Sequence, residues 1–242
     1  MQAMIFAAGL GTRLIDETSD KPKALVEIGG KTLLQHAIEK LISEGVQNIV
    51  INVHHFAEQV ITFIKKNDWG IPVHISDERD KLLETGGGLK KAVHFFEQDS
   101  PVLIYNVDIL SNLNLNILKE EHLKSGALAT LVVRNRETQR YFKFDSNKQL
   151  VGWLNKKTGE TKISRPENFE NDVEMAFSGI HIVQPEIFKL MPEEDRFSIT
   201  DLYLELAKTN KIYGYFDESE LWIDVGKPAQ LEEARKRFNT PD

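Results

Sequence analysis

The sequence predicts an α/β fold: a single domain on a mostly parallel, twisted sheet flanked by helices, with a small β-hairpin or flap inserted. Three observations carry this. The opening Ala3–Ala8 is a short, nearly unbroken apolar run, the mark of a strand covered on both faces. Strand-like and helix-like segments then alternate, and such alternation produces a parallel sheet. Finally, the 242 residues, 41% hydrophobic and 28% charged, suffice for one large core without a disulfide or metal staple.

The first strand runs into a loop rich in Gly and Lys. Thr32 is placed to cap a helix in which Leu33, Leu34, Ala37, Ile38, Leu41 and Ile42 recur at helical spacing, and Gly45 stands where a C-terminal glycine belongs. Asn48–Val53 reads as a strand, Ala57–Lys66 as a helix, Pro72–Ser76 as a strand, Thr85–Phe96 as a helix broken by glycines and Val102–Val107 as a strand. That βαβαβ order implies parallel pairing. Asn114–Lys124 continues as helix and Ala127–Val133 as strand. Tyr141–Asp145 and Leu150–Leu154, joined by Ser146-Asn147-Lys148, read as a β-hairpin. Residues 156–171 are polar, contain Pro166 and show no periodicity, which predicts a solvent-exposed loop or flap. Met175–Val183 is again a strand. Helices near Pro185–Leu190, Thr200–Lys208 and Ala229–Arg237 flank short strands at Ile212–Phe216 and Leu221–Val225.

Composition narrows the function classes. With no Cys there is no disulfide framework, thiolate nucleophile or thiolate zinc site, which points to a reducing compartment, the cytoplasm. Lys and Arg number 30 against 37 Asp and Glu, a net charge of −7 that argues against broad binding to nucleic acid or an anionic membrane. The apolar start is interrupted by Gly9 and Gly11 and is too short for a signal segment or a membrane span. Small-molecule ligands are therefore expected, bound by a monomer or small homo-oligomer.

Open parallel sheets bind ligands beyond the carboxyl ends of their strands, so the residues after each apolar run matter most. After the first strand come Gly9-Leu10-Gly11-Thr12-Arg13 and then Lys21-Pro22-Lys23. Glycines let backbone N–H groups approach an anion, and the cations supply charge where the overall field is negative, which suggests a phosphate cradle. Two commoner phosphate loops are not met: Leu14 stands where a dinucleotide fingerprint needs its third Gly, and Leu25 where a P-loop needs its leading Gly. Asp108 follows the Val102–Val107 strand and Asp224 lies far on in the sequence. Two carboxylates at neighbouring strand ends are the usual protein share of a Mg²⁺ site, though spacing alone does not separate this from two unrelated loop aspartates. In Thr85-Gly86-Gly87-Gly88 each interior glycine costs about 1 kcal/mol against Ala, a choice that either close approach of a flat ligand or a tight helix–sheet crossing would justify. The seven His show no ligand spacing and are expected in packing or surface hydrogen bonds.

Taken together, Phe6-Ala7-Ala8-Gly9-Leu10-Gly11-Thr12-Arg13-Leu14 with Lys21-Pro22-Lys23-Ala24-Leu25-Val26 closely resembles the signature of the sugar-1-phosphate nucleotidyltransferases, or NDP-sugar pyrophosphorylases. The resemblance extends through Leu83–Gly88, Asn106-Val107-Asp108, Phe177-Ser178-Gly179-Ile180 and Trp222–Gly226, essentially the whole chain. It is strongest to the branch that uridylylates N-acetylmuramate 1-phosphate, with short mannose-1-phosphate guanylyltransferase-like proteins close behind. The resemblance implies a Rossmann-like nucleotidyltransferase domain over 1–242, with a nucleotide-binding half at about 1–110 and a sugar-binding half at about 111–242. It also implies attack of a sugar-1-phosphate oxygen on the α-phosphorus of a nucleoside triphosphate, UTP favoured, with release of pyrophosphate.

By motif position the resemblance puts Ala7, Ala8 and Gly9 at the base and ribose, Gly11, Thr12 and Arg13 around the triphosphate, and Lys23 at the α-phosphate. Asp108 and Asp224 would hold Mg²⁺. Glu78 and Gly86 would lie near the base, and Asn106, Glu174 and Gly179 near the sugar. Arg13 and Lys23 are the catalytic candidates, because this transfer needs alignment and charge neutralisation rather than covalent help. No general base is required of the protein, since the sugar phosphate is already anionic at neutral pH. Two positions depart from the family pattern. Val107 replaces the usual Gly between Asn and Asp, and Ile15-Asp16 stand where Pro is common. Guanylyl or cytidylyl transfer, or a catalytically silent nucleotide-sugar-binding regulator, are the alternatives; retention of Arg13, Lys23, Asp108 and Asp224 argues against the last.

Overall fold

The computed structural model describes residues 1–9, 11–169 and 172–238; Leu10, within the loop motif, and Glu170 and Asn171, within the polar stretch above, lie outside them. The first half alternates as the periodicities require. Strand β1 (Gln2–Phe6) leads to a one-turn helix α1 (Ile15–Thr18) and a small ribbon of β2 (Glu27–Ile28) and β3 (Lys31–Thr32). Then follow α2 (Leu33–Ser43), β4 (Asn48–Val53), α3 (Ala57–Lys66), β5 (Val73–Asp77), α4 (Glu84–Ala92) and β6 (Val102–Asn106). Thr32 caps α2 by accepting the Gln35 N–H, and Gly45 closes it at φ +81°.

The second half comprises β7 (Ile109–Ser111), α5 (Leu115–Ser125), β8 (Ala129–Arg134), β9 (Arg140–Phe144), β10 (Leu150–Asn155), β11 (Thr161–Ile163), β12 (Val173–Val183), α6 (Ile199–Leu206), β13 (Ile212–Phe216), β14 (Trp222–Asp224) and α7 (Pro228–Phe238). β9 and β10 form the expected antiparallel hairpin. The polar stretch at 156–171 is not wholly a loop, because Thr161–Ile163 pairs with β10 as a third strand. All three residues of β11 are exposed, so it leaves no apolar pattern to read. Pro185–Leu190 forms a 3₁₀ helix.

β1 pairs in parallel with β4 and β6, and β4 with β5. β12 runs antiparallel to β6 and to β8, and β13 is parallel to β8, so β8 and β13 point the same way as β1. The sheet is therefore mixed, with most strands in one direction. Its two faces bury separate cores. Ala3 and Ile5 of β1 pack with Leu34 of α2, Val60 of α3, Leu115 of α5 and Leu231 of α7, whereas Met4 packs with Leu89 of α4 and Leu202 of α6. Ala3, Met4 and Ile5 are all fully buried, the reason the opening run is apolar without alternation.

Candidate active site

Phe6, Asn52 and Asn106, from the carboxyl ends of β1, β4 and β6, border a cavity of about 370 Å³. The loop after β1 contributes Ala7, Ala8, Gly9, Gly11, Thr12 and Arg13 to its wall, and Lys23, Glu78, Leu82, Glu84, Thr85, Val107 and Asp108 complete it. Ten of the expected site residues thus face one space: Ala7, Ala8, Gly9, Gly11, Thr12, Arg13, Lys23, Glu78, Asn106 and Asp108.

One end is built on a relay of amides. Asn52 accepts the Ala7 N–H at Oδ1 (2.8 Å) and donates Nδ2–H to Glu78 Oε1 (2.8 Å). Burial pushes the Glu78 carboxyl above its ordinary range, against the pull of Asn52 and of the Leu83 N–H. Asn52 is a residue of this cavity that the sequence did not single out. Its signal was a polar side chain near the end of the apolar run Ile49–Val53.

The glycine triplet serves packing around this end. A Cβ at Gly88 would lie 2.8 Å from Glu78 Oε1, one at Gly87 1.9 Å from the Asp195 carbonyl oxygen, and one at Gly86 2.3 Å from the Phe197 ring. The Gly86 N–H donates to the Phe197 carbonyl oxygen (2.9 Å). Gly86, expected near the base, therefore packs α4 on the 195–197 segment and does not line the cavity. Its neighbour Thr85 does.

The other end is charged. Lys23 Nζ donates to Asp108 Oδ2, both side chains being largely buried. Pairing of β14 with β7 sets Asp224 opposite Ile109, and the Val225 N–H donates to the Asp108 carbonyl oxygen (2.8 Å), so two aspartates far apart in sequence become neighbours. Burial, then the Asp108 charge, raise the Asp224 carboxyl, while Lys23, Arg13 and Arg136 oppose the rise. A Cβ at Gly226 would sit 2.6 Å from Asp224 Oδ1 and 2.9 Å from Arg13 Nη2, so the missing side chain is what lets these groups meet. Among the described residues no three His, Cys, Asp or Glu side chains gather as a ready metal cage. The buried Asp224 Oδ1 has no hydrogen-bond partner. An orphaned oxygen in a pair of crowded carboxylates fits a hard divalent cation that takes its remaining ligands from water and phosphate.

Gly179 has φ +76° at a register shift in β12, and a Cβ there would lie 2.8 Å from Asn106 Nδ2. It thus sets the position of Asn106 from behind. Glu174 is elsewhere: it pairs with Lys156 (2.6 Å) beside the hairpin and lines neither this cavity nor the larger one described below. The buried His side chains do pack as expected, His122 against Thr130 and His181 against Tyr203.

The sequence pattern of the nucleotidyl transferase family matches residues 2–240. The chain belongs to the nucleotidyl transferase family. It is 34% identical to the N-acetylmuramate alpha-1-phosphate uridylyltransferase of Caulobacter vibrioides, over 98% of this chain and 96% of that protein. It is 31% identical to a mannose-1-phosphate guanyltransferase of Yarrowia lipolytica, over 94% of this chain but only 61% of the relative. In fold it is similar to HddC from Yersinia pseudotuberculosis, with a TM-score of 0.79, 24% identity and coverage of 98% and 99% of the two chains. A UDP-glucose pyrophosphorylase from Acinetobacter baumanii gives a TM-score of 0.78 at 15% identity, covering 98% of this chain and 92% of that one.

In this nucleotidyltransferase a second cavity, of about 910 Å³, lies against the first, with Arg13 in both walls and Asp224 in the second. The segment from Arg136 to Arg140, which leads from β8 into the hairpin, supplies much of its wall. Tyr141 OH accepts the Thr138 N–H (2.9 Å), and Lys156 Nζ stands 4.6 Å from the centre of the Tyr141 ring while pairing with Glu174. Glu174 thereby steadies the segment that borders the cavity from outside it.

Proposed function

We propose that this nucleotidyltransferase transfers a uridylyl group from UTP to N-acetylmuramate 1-phosphate or a related hexosamine 1-phosphate, yielding a UDP-sugar and pyrophosphate. The observation that carries the reading is the convergence of Arg13, Lys23, Asp108 and Asp224 where the two cavities meet. The smaller cavity takes the nucleotide, with Ala7, Ala8 and Gly9 along base and ribose and the Asn52–Glu78 relay at its far end. The larger cavity takes the sugar. The likeness to the Caulobacter uridylyltransferase, which spans nearly the whole length of both chains, supports the choice of donor and acceptor.

A phosphate oxygen of the sugar phosphate attacks the α-phosphorus in line; the new P–O bond forms as the bond to the β-phosphate oxygen breaks, and the electron pair leaves with pyrophosphate. Gly11, Thr12 and Arg13 hold the triphosphate, and Lys23 meets the charge that develops at the α-phosphate. Asp108 and Asp224 would hold Mg²⁺, which supplies charge neutralisation to the phosphates. Lys23 is bonded to Asp108 in the free protein, so it stands within one side-chain movement of its work. Val107 borders the nucleotide cavity beside Asn106, but its side chain is buried in the core with Ile5, Tyr105 and Ile223, so the branched residue is accommodated by packing. The absence of Cys supports a reducing compartment, and we place the reaction in the cytoplasm.

Pyrophosphate release over a grid of nucleoside triphosphates and sugar 1-phosphates tests the reading. UTP with N-acetylmuramate 1-phosphate should give the highest kcat/KM. A clear preference for GTP with mannose 1-phosphate would overturn the substrates and keep the reaction class.

A further inference from the structure

Arg136 stands just beyond β8 and lines the larger cavity. Its guanidinium is held from two sides: Nη2–H donates to the Phe177 carbonyl oxygen (2.9 Å), and its carbon lies 4.6 Å from the centre of the Trp222 ring. Trp222 is itself fixed, its indole N–H donating to the Ser178 carbonyl oxygen (3.0 Å). A cation stacked on an aromatic face and tied at one nitrogen is preorganised to meet an anion with its other donors.

The charge of Arg136 is not matched by the fold. Arg134, two residues earlier, shows what a satisfied arginine looks like here: it pairs with Asp217 and also donates to the Ser219 carbonyl oxygen (2.7 Å). Arg136 has no such ion pair among those the structure shows, and its Nε–H is buried without a partner. The guanidinium as a whole is half-buried at the wall of the cavity, so an anion entering that cavity is the natural complement to its charge. The carboxylate whose charge acts on it is Asp224, which is also under the influence of Arg13 and Lys23 and is assigned to the metal. Gln230 lines the same cavity with its Oε1 buried and unpartnered. An unused cationic donor and an unused acceptor in one cavity fit a ligand bearing both an anion and an N–H or O–H group.

We propose that Arg136 recognises a carboxylate carried by the sugar itself, a second anionic group distinct from the 1-phosphate, and so makes the enzyme selective for acidic amino sugars over neutral ones. Gln230 then accepts from the sugar's amide or hydroxyl. The proposal rests on the reading of this chain as a sugar-1-phosphate nucleotidyltransferase and deepens it by naming the residue that reads the sugar. Arg140 and Lys227, also in the cavity wall, reinforce the field, and Glu137 and Glu233 oppose it; Glu233 is engaged by Arg237 (3.6 Å).

The test compares N-acetylmuramate 1-phosphate with N-acetylglucosamine 1-phosphate, which lacks the lactyl carboxylate, using UTP and pyrophosphate release. The parent should favour the acidic sugar, and Arg136→Gln should lower kcat/KM for it at least about tenfold more than for the neutral one, the scale of one charge-assisted hydrogen bond. Arg136→Lys should fall between them. A second measurement needs no variant: the parent should lose a comparable factor when the carboxylate of the acidic sugar is converted to the carboxamide. Equal losses on both sugars would show that Arg136 holds the 1-phosphate or the fold, and would overturn the proposal. Undiminished selectivity in Arg136→Gln, or undiminished turnover of the carboxamide, overturns it while sparing the proposed reaction. A parent that turns over only neutral hexose phosphates overturns both this inference and the proposed acceptor.

Discussion

Acid should unfold this protein through two buried imidazoles. His122 and His181 are each almost wholly removed from solvent, bonded at Nδ1 to Thr130 and Tyr203 respectively, and left without a partner at Nε2. Burial pushes His122 down to about 4 and His181 down to about 3. In the unfolded chain both titrate near 6.5. Above that pH both states are neutral and the residues contribute nothing to the pH dependence. Below it the unfolded chain takes up protons that the folded chain refuses. Stability therefore falls by about 1.4 kcal/mol per pH unit for each His, until pH reaches the folded values. At pH 5 the loss is about 2 kcal/mol per residue, or about 4 kcal/mol together, a large part of the roughly 5–15 kcal/mol that holds a domain folded. Urea unfolding at pH 7.5 and pH 5.0, on the parent, His122→Gln and His181→Gln, measures this. Each variant should lose about 2 kcal/mol less than the parent between the two pH values, whatever its stability at pH 7.5. A variant with the same pH-dependent loss as the parent would refute the argument for that residue. The His181 ring lies 6.2 Å from that of Phe6, which borders the smaller cavity.

Three further outcomes concern the site. Asp108→Asn and Asp224→Asn should each abolish most turnover with the fold retained, read as pyrophosphate release across a Mg²⁺ titration; full activity of either at modest Mg²⁺ would remove both residues from the metal site. Lys23→Ala should reduce kcat more than it weakens nucleotide binding, since a cation at the α-phosphate acts as charge develops there; a change confined to KM would make Lys23 a binding residue only. Gly86→Ala forces a Cβ to 2.3 Å from the Phe197 ring and should lower stability by about 1–3 kcal/mol in thermal unfolding, whereas an unchanged midpoint with weakened nucleotide binding would return Gly86 to the ligand.

Features encoded by neighbouring residues could be read without the structure. Apolar runs and helical spacing marked β1, α2, β4, α3 and the β9–β10 hairpin, because burial on one or two faces imposes its period on neighbouring residues. The loop that walls the first cavity was legible for a similar reason: Gly9 through Arg13 are contiguous, and Lys23 follows within one short connection. Tertiary structure decided the rest. Asp108 and Asp224 are neighbours only because β14 pairs with β7, two strands of three residues whose register no local pattern announces. Asn52 became part of the site because β4 and β5 end side by side, which lets one amide join Ala7 to Glu78. The glycine triplet was ambiguous in sequence, since a ligand and a neighbouring segment both demand a missing Cβ; Phe197 and Asp195, about a hundred residues away, filled that space. Glu174 joined Lys156, and Arg136 was held over Trp222 beside the β12 bulge, because contacts between distant strands depend on pairing and register, which a chain acquires only once its sheet has formed.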